Sequence, residues 1–160
     1  MNRETYFSSD EREFLFLLAK YKVRYLIVGG EAVIYYGYAR LTGDIDFWYE
    51  NGDDNVRNLF TALRQFWKND VPGITDANEL KRRGMIFQFG IPPHRIDLMN
   101  AIEGVVFSAA WKRKEAVRLT FKKKTFMIYY IGINDLKSNK RRVNRDKDRD
   151  DLRFLSRVKK

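Results

Sequence analysis

Apolar positions change period several times along the chain, and each change marks an element. Phe14, Leu15, Leu17 and Leu18 follow Ser8-Ser9-Asp10-Glu11, in which Ser8 and Glu11 stand at capping-box spacing, so a helix is predicted to about Lys20. Val23 to Val28 (VRYLIV) is short, β-branched and almost continuously apolar, the pattern of a strand buried on both faces. Glu31 to Tyr38 reads as a short helix and Ile45 to Tyr49 as a second strand. Val56, Leu59, Phe60, Leu63, Phe66 and Trp67 then recur at helical spacing behind the turn Asn51-Gly52-Asp53-Asp54. After a loop at Asp70 to Gly73, Met85 to Ile91 and His94 to Met99 read as strands hinged by Pro92-Pro93, which cannot donate to a ladder. Val105 to Lys114 predicts a helix. EAVRLTF and TFMIYYI predict strands joined by Lys122-Lys123-Lys124, and the tail is helical in pattern from Asn134.

That order predicts an α+β fold with one mixed central β-sheet flanked by helices and a helical C-terminal segment. With 160 residues, 44% of them hydrophobic, one ordinary core is expected and two are not. We read a single domain over 1–160, with its core at about 20–131 and a basic helical segment at about 132–160.

Charge sharpens this division. Residues 1–110 hold 13 Lys/Arg and 15 Asp/Glu, net −2, whereas residues 111–160 hold 18 and 6, net +12, so a basic last third is joined to a near-neutral body. Such a surface serves either solubility alone or a polyphosphate partner, a nucleic acid or a nucleotide triphosphate. Cysteine is absent and His94 is the only histidine, which excludes thiolate nucleophiles, zinc–thiolate sites and histidine clusters. Any metal must be held mainly by oxygen. No apolar run approaches the ~18 residues of a membrane span and MNRETYFSSDERE lacks a signal-peptide core, so a cytoplasmic protein without membrane partners is expected.

The chemistry concentrates in GGEAVIYYGYARLTGDIDFW, Gly29 to Trp48. In an extended strand Asp44 and Asp46 point to one face while Ile45 and Phe47 point to the other. Two adjacent carboxylates repel, and a hard dication with oxygen ligands relieves the repulsion. Asp97 is a third acid inside an apolar strand, flanked by Ile96 and Leu98. It either joins the first two, enough to hold two metal ions, or pairs with Arg95 at a strand end. A calcium loop is disfavoured, because Phe-Trp-Tyr follows Asp46 where further oxygen ligands and a glycine would be needed.

Gly29-Gly30, then Asp44-x-Asp46, then Asp97 resembles the nucleotidyltransferase fold of the DNA polymerase β superfamily. The longer string Gly29-Gly30-x-Ala32, Tyr36-Gly37 and Arg40-x-Thr42-x-Asp44-Ile45-Asp46-Phe47 is similar to the small prokaryotic branch that includes abortive-infection and toxin–antitoxin nucleotidyltransferases. Leu136, Asn139-Lys140, Arg145, Asp148 and Asp151-Leu152 resemble that branch's C-terminal helical motif. The chain departs from the pattern at Gly30 and Glu31, where many members carry serine after the first glycine.

The resemblance implies that Asp44, Asp46 and Asp97 are the catalytic metal ligands for Mg²⁺ or Mn²⁺, with two ions. Gly29 and Gly30 would approach the triphosphate through backbone, and Arg40, Thr42, Lys140 and Arg145 would complete the nucleotide site. It further implies transfer of a nucleoside monophosphate from a nucleoside triphosphate to a hydroxyl acceptor, an RNA end such as that of tRNA or a protein, with a cognate toxin or antitoxin as partner. The basic tail favours RNA. From the residues themselves, Lys140 and Arg145 could instead be surface charges on a salt-bridged helix, and Arg40 and Thr42 could serve to fix a loop. The competing function is a catalytically weak or inactive module of the same fold that binds RNA or a partner protein.

Overall fold

A computed structural model of the chain describes residues 3–159. Its elements are α1 (Arg3–Tyr6), α2 (Ser9–Lys20), β1 (Tyr25–Val28), α3 (Gly29–Tyr35), β2 (Asp44–Tyr49), α4 (Asp53–Phe66) and a short 3-10 helix (Ala77–Lys81). There follow β3 (Ile86–Phe89), β4 (Arg95–Met99), α5 (Phe107–Lys112), β5 (Glu115–Phe121), β6 (Lys124–Tyr130), α6 (Ile133–Val143) and α7 (Asp146–Leu155). The fold is α+β. Its strands form one mixed, open six-stranded sheet in the order β3-β4-β2-β1-β6-β5. The central strand β1 runs antiparallel to β2 and parallel to β6, and β2 runs parallel to β4.

The local reasons are largely those read from the pattern. Ser8 caps α2 through its side chain and Glu11 returns the bond to the Ser8 amide, while Phe14, Leu15, Leu17 and Leu18 are buried. All four residues of β1 are buried, as a strand covered on both faces requires. In β2, Phe47 meets Phe14 of α2 and Tyr25 edge-on, whereas Trp48 packs against Phe107 of α5. The two faces of β2 are thus covered by different helices. Phe47, Trp48 and Tyr49 are core residues, and only the Asp44–Asp46 end of the strand is open.

Differences from the sequence-based elements are few. The helix predicted from Glu31 starts at Gly29 and ends at Tyr35, because β1 passes straight into it. Of the three turn lysines, Lys122 and Lys123 alone take positive φ and make a tight two-residue reversal, and Lys124 already belongs to β6. The tail is two helices, since Asn144 adopts the left-handed conformation at φ 57° and closes α6. Arg145 therefore lies outside α6, at the N-cap of α7.

Asn55, 5% exposed, ties the core strands to α4. Its Oδ1 accepts from the Arg24 amide at 2.7 Å, and its Nδ2 donates to the carbonyls of Arg24 at 3.0 Å and Glu50 at 2.8 Å. It closes the start of β1 against the end of β2. Asn55→Ala leaves these backbone groups without their partner and is expected to cost about 1–3 kcal/mol in urea unfolding. An unchanged midpoint would show that the clamp contributes nothing.

Candidate metal site and cleft

The acid cluster follows from strand register. β2 and β4 run parallel with Asp46 beside Asp97 and Asp44 beside Arg95, so the same-face alternation of each strand brings three carboxylates to one patch. One oxygen from each of Asp44, Asp46 and Asp97 lies within 4.8 Å of the others, an arrangement that could hold a metal ion. The donor set is all carboxylate oxygen, which suits a hard dication. Asp97 is nearly buried and Asp44 and Asp46 face the opening.

Both expectations for Asp97 are met together. It joins the cluster, and it also pairs with Arg95, which donates from Nε to Oδ1 at 2.8 Å and from Nη2 to Oδ2 at 3.0 Å. The same Nη2 reaches Asp44 Oδ2 at 2.8 Å. Asp46 receives no side-chain hydrogen bond or ion pair among the described residues. Burial, then Asp44, then Asp97 push its carboxyl up to about 7, against the pull of Lys140 and Lys147.

The glycine pair lies directly against the acids. Val28 pairs with Asp46 across the sheet, and Gly29 follows at φ +65°. A Cβ on Gly29 would fall 2.1 Å from Asp46 Oδ2, so only glycine fits. A Cβ on Gly30 would fall 2.8 Å from Thr42 Oγ1 and 2.9 Å from Arg40 Nη2. Thr42 in turn donates to the Asp44 carbonyl at 3.2 Å and lies 3.3 Å from its Oδ1, which fixes the loop entering β2. Glu31 faces away from this patch, where Tyr6 donates to both of its oxygens at 2.8 and 2.9 Å. The charge that follows the glycine pair is thereby kept off the cleft.

The C-terminal helices supply the cations. Lys140, 3% exposed, lies between Asp148 at 3.1 Å and Asp151 at 3.0 Å. Asp151 also holds Arg40 at 3.1 Å, and Asp148 holds Arg145 at 2.8 Å. Asp148 is fully buried, which works against its ionisation, but hydrogen bonds from the Arg145 side chain and amide and from Lys140 bring its carboxyl down to about 2. Asp148 and Asp151 are thus orienting acids rather than ligand contacts.

Gly29, Gly30, Arg40, Thr42, Asp44, Asp46, Asp97, Lys140 and Arg145 all line one cleft of about 530 Å³. No protein-family model matches this chain, and neither does any curated protein. Three cleft features went unread in the sequence. Arg95 contacts two acids rather than one, and its position two residues before Asp97 was the available sign. Lys147 carries its charge to the rim from the first turn of α7. Ile86, Met99, Ile102 and Val143 give the cleft an apolar side to which no motif points.

A carboxyl raised from 3.8 to about 7 takes up a proton on folding between those values, so its contribution to stability is present at low pH and lost as pH rises through 7. In chelator, wild type is expected to lose about 1–3 kcal/mol relative to Asp46→Asn between pH 5 and pH 8, allowing for solvent screening at the cleft mouth. Parallel pH profiles in chemical denaturation would contradict the burial of a repelled charge.

Proposed function

We propose that the protein is a metal-dependent nucleotidyltransferase of the nucleotidyltransferase fold. It moves a nucleoside monophosphate from a nucleoside triphosphate to a hydroxyl acceptor, an RNA end such as that of tRNA or a protein side chain, within a toxin–antitoxin pair. One observation carries the reading: the three carboxylates, the bare backbone at Gly29 and Gly30, and the cations Arg40, Lys140 and Arg145 line a single cleft. The acids alone would be an ordinary cluster. Acids beside bare backbone and fixed cations match a metal–triphosphate complex, which needs all three.

Mg²⁺ or Mn²⁺ held by Asp44, Asp46 and Asp97, two ions in all, would polarise the α-phosphoryl group and lower the pKa of the acceptor hydroxyl. The acceptor hydroxyl gives up its proton to solvent and its oxygen forms a bond to the α-phosphorus as the bond to the bridging oxygen breaks, so that pyrophosphate leaves. Gly29 and Gly30 would meet the phosphates through backbone, and their missing Cβ atoms let Asp46, Thr42 and Arg40 lie close against that backbone. Lys140, hydrogen-bonded to Asp148 and ion-paired with Asp151, serves as a fixed positive charge. Arg145, held by Asp148 but with its side chain 57% exposed, would turn a second positive charge toward the departing pyrophosphate. The basic last third of the chain favours RNA as the acceptor.

A second reading is favoured by Arg95, which fills part of the acid cluster as a permanent replacement for metal would in an inactive binding module. The two readings separate on one assay. Incubation with each labelled triphosphate, Mg²⁺ or Mn²⁺, and separate RNA and protein fractions is expected to label one fraction. Asp44→Asn and Asp46→Asn are each expected to reduce the label by roughly 100-fold or more. Absence of transfer from all four triphosphates would instead support the binding module.

A further inference from the structure

Arg95 opens β4, in register with Asp44 and two residues before Asp97, so its side chain falls on the acid face. Its guanidinium spans Asp97 and Asp44 through three contacts of 2.8, 3.0 and 2.8 Å. These are the carboxylates a cation would use. Guanidinium and dication therefore compete for the same lone pairs.

We propose that Arg95 is a displaceable counter-ion of this site. It neutralises Asp44 and Asp97 while the cluster is metal-free, and a divalent cation binds by exchange for it. The expelled guanidinium then stands in the cleft as a further positive group for an anionic ligand. The proposal rests on the metal reading of Asp44, Asp46 and Asp97.

The arrangement of charge argues for exchange over permanent replacement. A permanent substitute would satisfy all three acids, yet Arg95 leaves Asp46 without an ion-pair partner among the described residues. One guanidinium against three carboxyl groups leaves the cluster short of positive charge, which a dication supplies. Position argues the same way. The Arg95 side chain is 27% exposed and lines the cleft, against 25% for Asp44 and 7% for Asp97, so the guanidinium lies on the open side of the acid it holds by two bonds and has room to leave it. A competitor present nine-tenths of the time weakens apparent metal affinity about tenfold.

The test is calorimetric titration of chelator-treated protein with Mn²⁺, which needs no turnover. Arg95→Met is expected to bind Mn²⁺ about tenfold tighter than wild type, with a larger rise in Tm at saturation. Arg95→Lys, able to bridge only as a point charge, is expected between the two, and it decides the matter should Arg95→Met not fold. Equal or weaker Mn²⁺ affinity in the folded variants, with wild-type binding lost in Asp44→Asn, would overturn the exchange and leave the metal site standing. Mn²⁺ binding by none of the proteins would overturn both.

Discussion

Three carboxylates on two neighbouring parallel strands repel one another, and the open side of the molecule is arranged around that repulsion. The register of β2 on β4 makes it unavoidable, because Asp46 and Asp97 are strand partners and Asp44 shares their face. Arg95 relieves two of the acids, and the third is left to hold a proton more tightly than an ordinary carboxyl. Gly29 answers the same constraint sterically, since its missing Cβ is what allows Asp46 to lie against the start of α3. Isolated charges of this kind are costly to bury, so a cluster kept at the floor of a cleft is most simply understood as a cation site.

The C-terminal helices answer with charge of the opposite sign, but they do so indirectly. Asp148 and Asp151 lie buried beneath Lys140, Arg40 and Arg145 and fix each of them by an ion pair. A buried pair of this kind contributes little net stability when intact, whereas loss of one partner leaves the other charge uncompensated. Its value here is geometric: it fastens the loop before β2 to α6 and α7, so the cations and the acids are held by one framework. The break at Asn144 is what lets α7 fold back and bring Asp148 up to Lys140.

The sheet and most of the helices were legible because burial wrote them as changes of period. The last four residues of VRYLIV became β1, IDFWY with Asp44 before it became β2, and the capping box at Ser8 formed as spelled. The acid cluster was legible too, since an Asp-x-Asp and a lone strand aspartate imply one patch once the strands are neighbours. What the pattern could not carry was anything set by packing across the chain. Arg95 was read as a partner of Asp97 alone, because its reach to Asp44 depends on strand register. Glu31 reads from the sequence only as a charge beside the glycines, because Tyr6, which turns it away, lies 25 residues before it. The continuous polar pattern of the tail concealed a helix break that rests on one left-handed residue.

The central claim, that Asp44, Asp46 and Asp97 form a divalent-cation site, is tested most directly by anomalous diffraction from crystals equilibrated with Mn²⁺. The account expects a manganese peak within coordination distance of all three carboxylates, with the Arg95 guanidinium moved off Asp44. An empty cluster at millimolar Mn²⁺, with Arg95 still bridging Asp44 and Asp97, would contradict it.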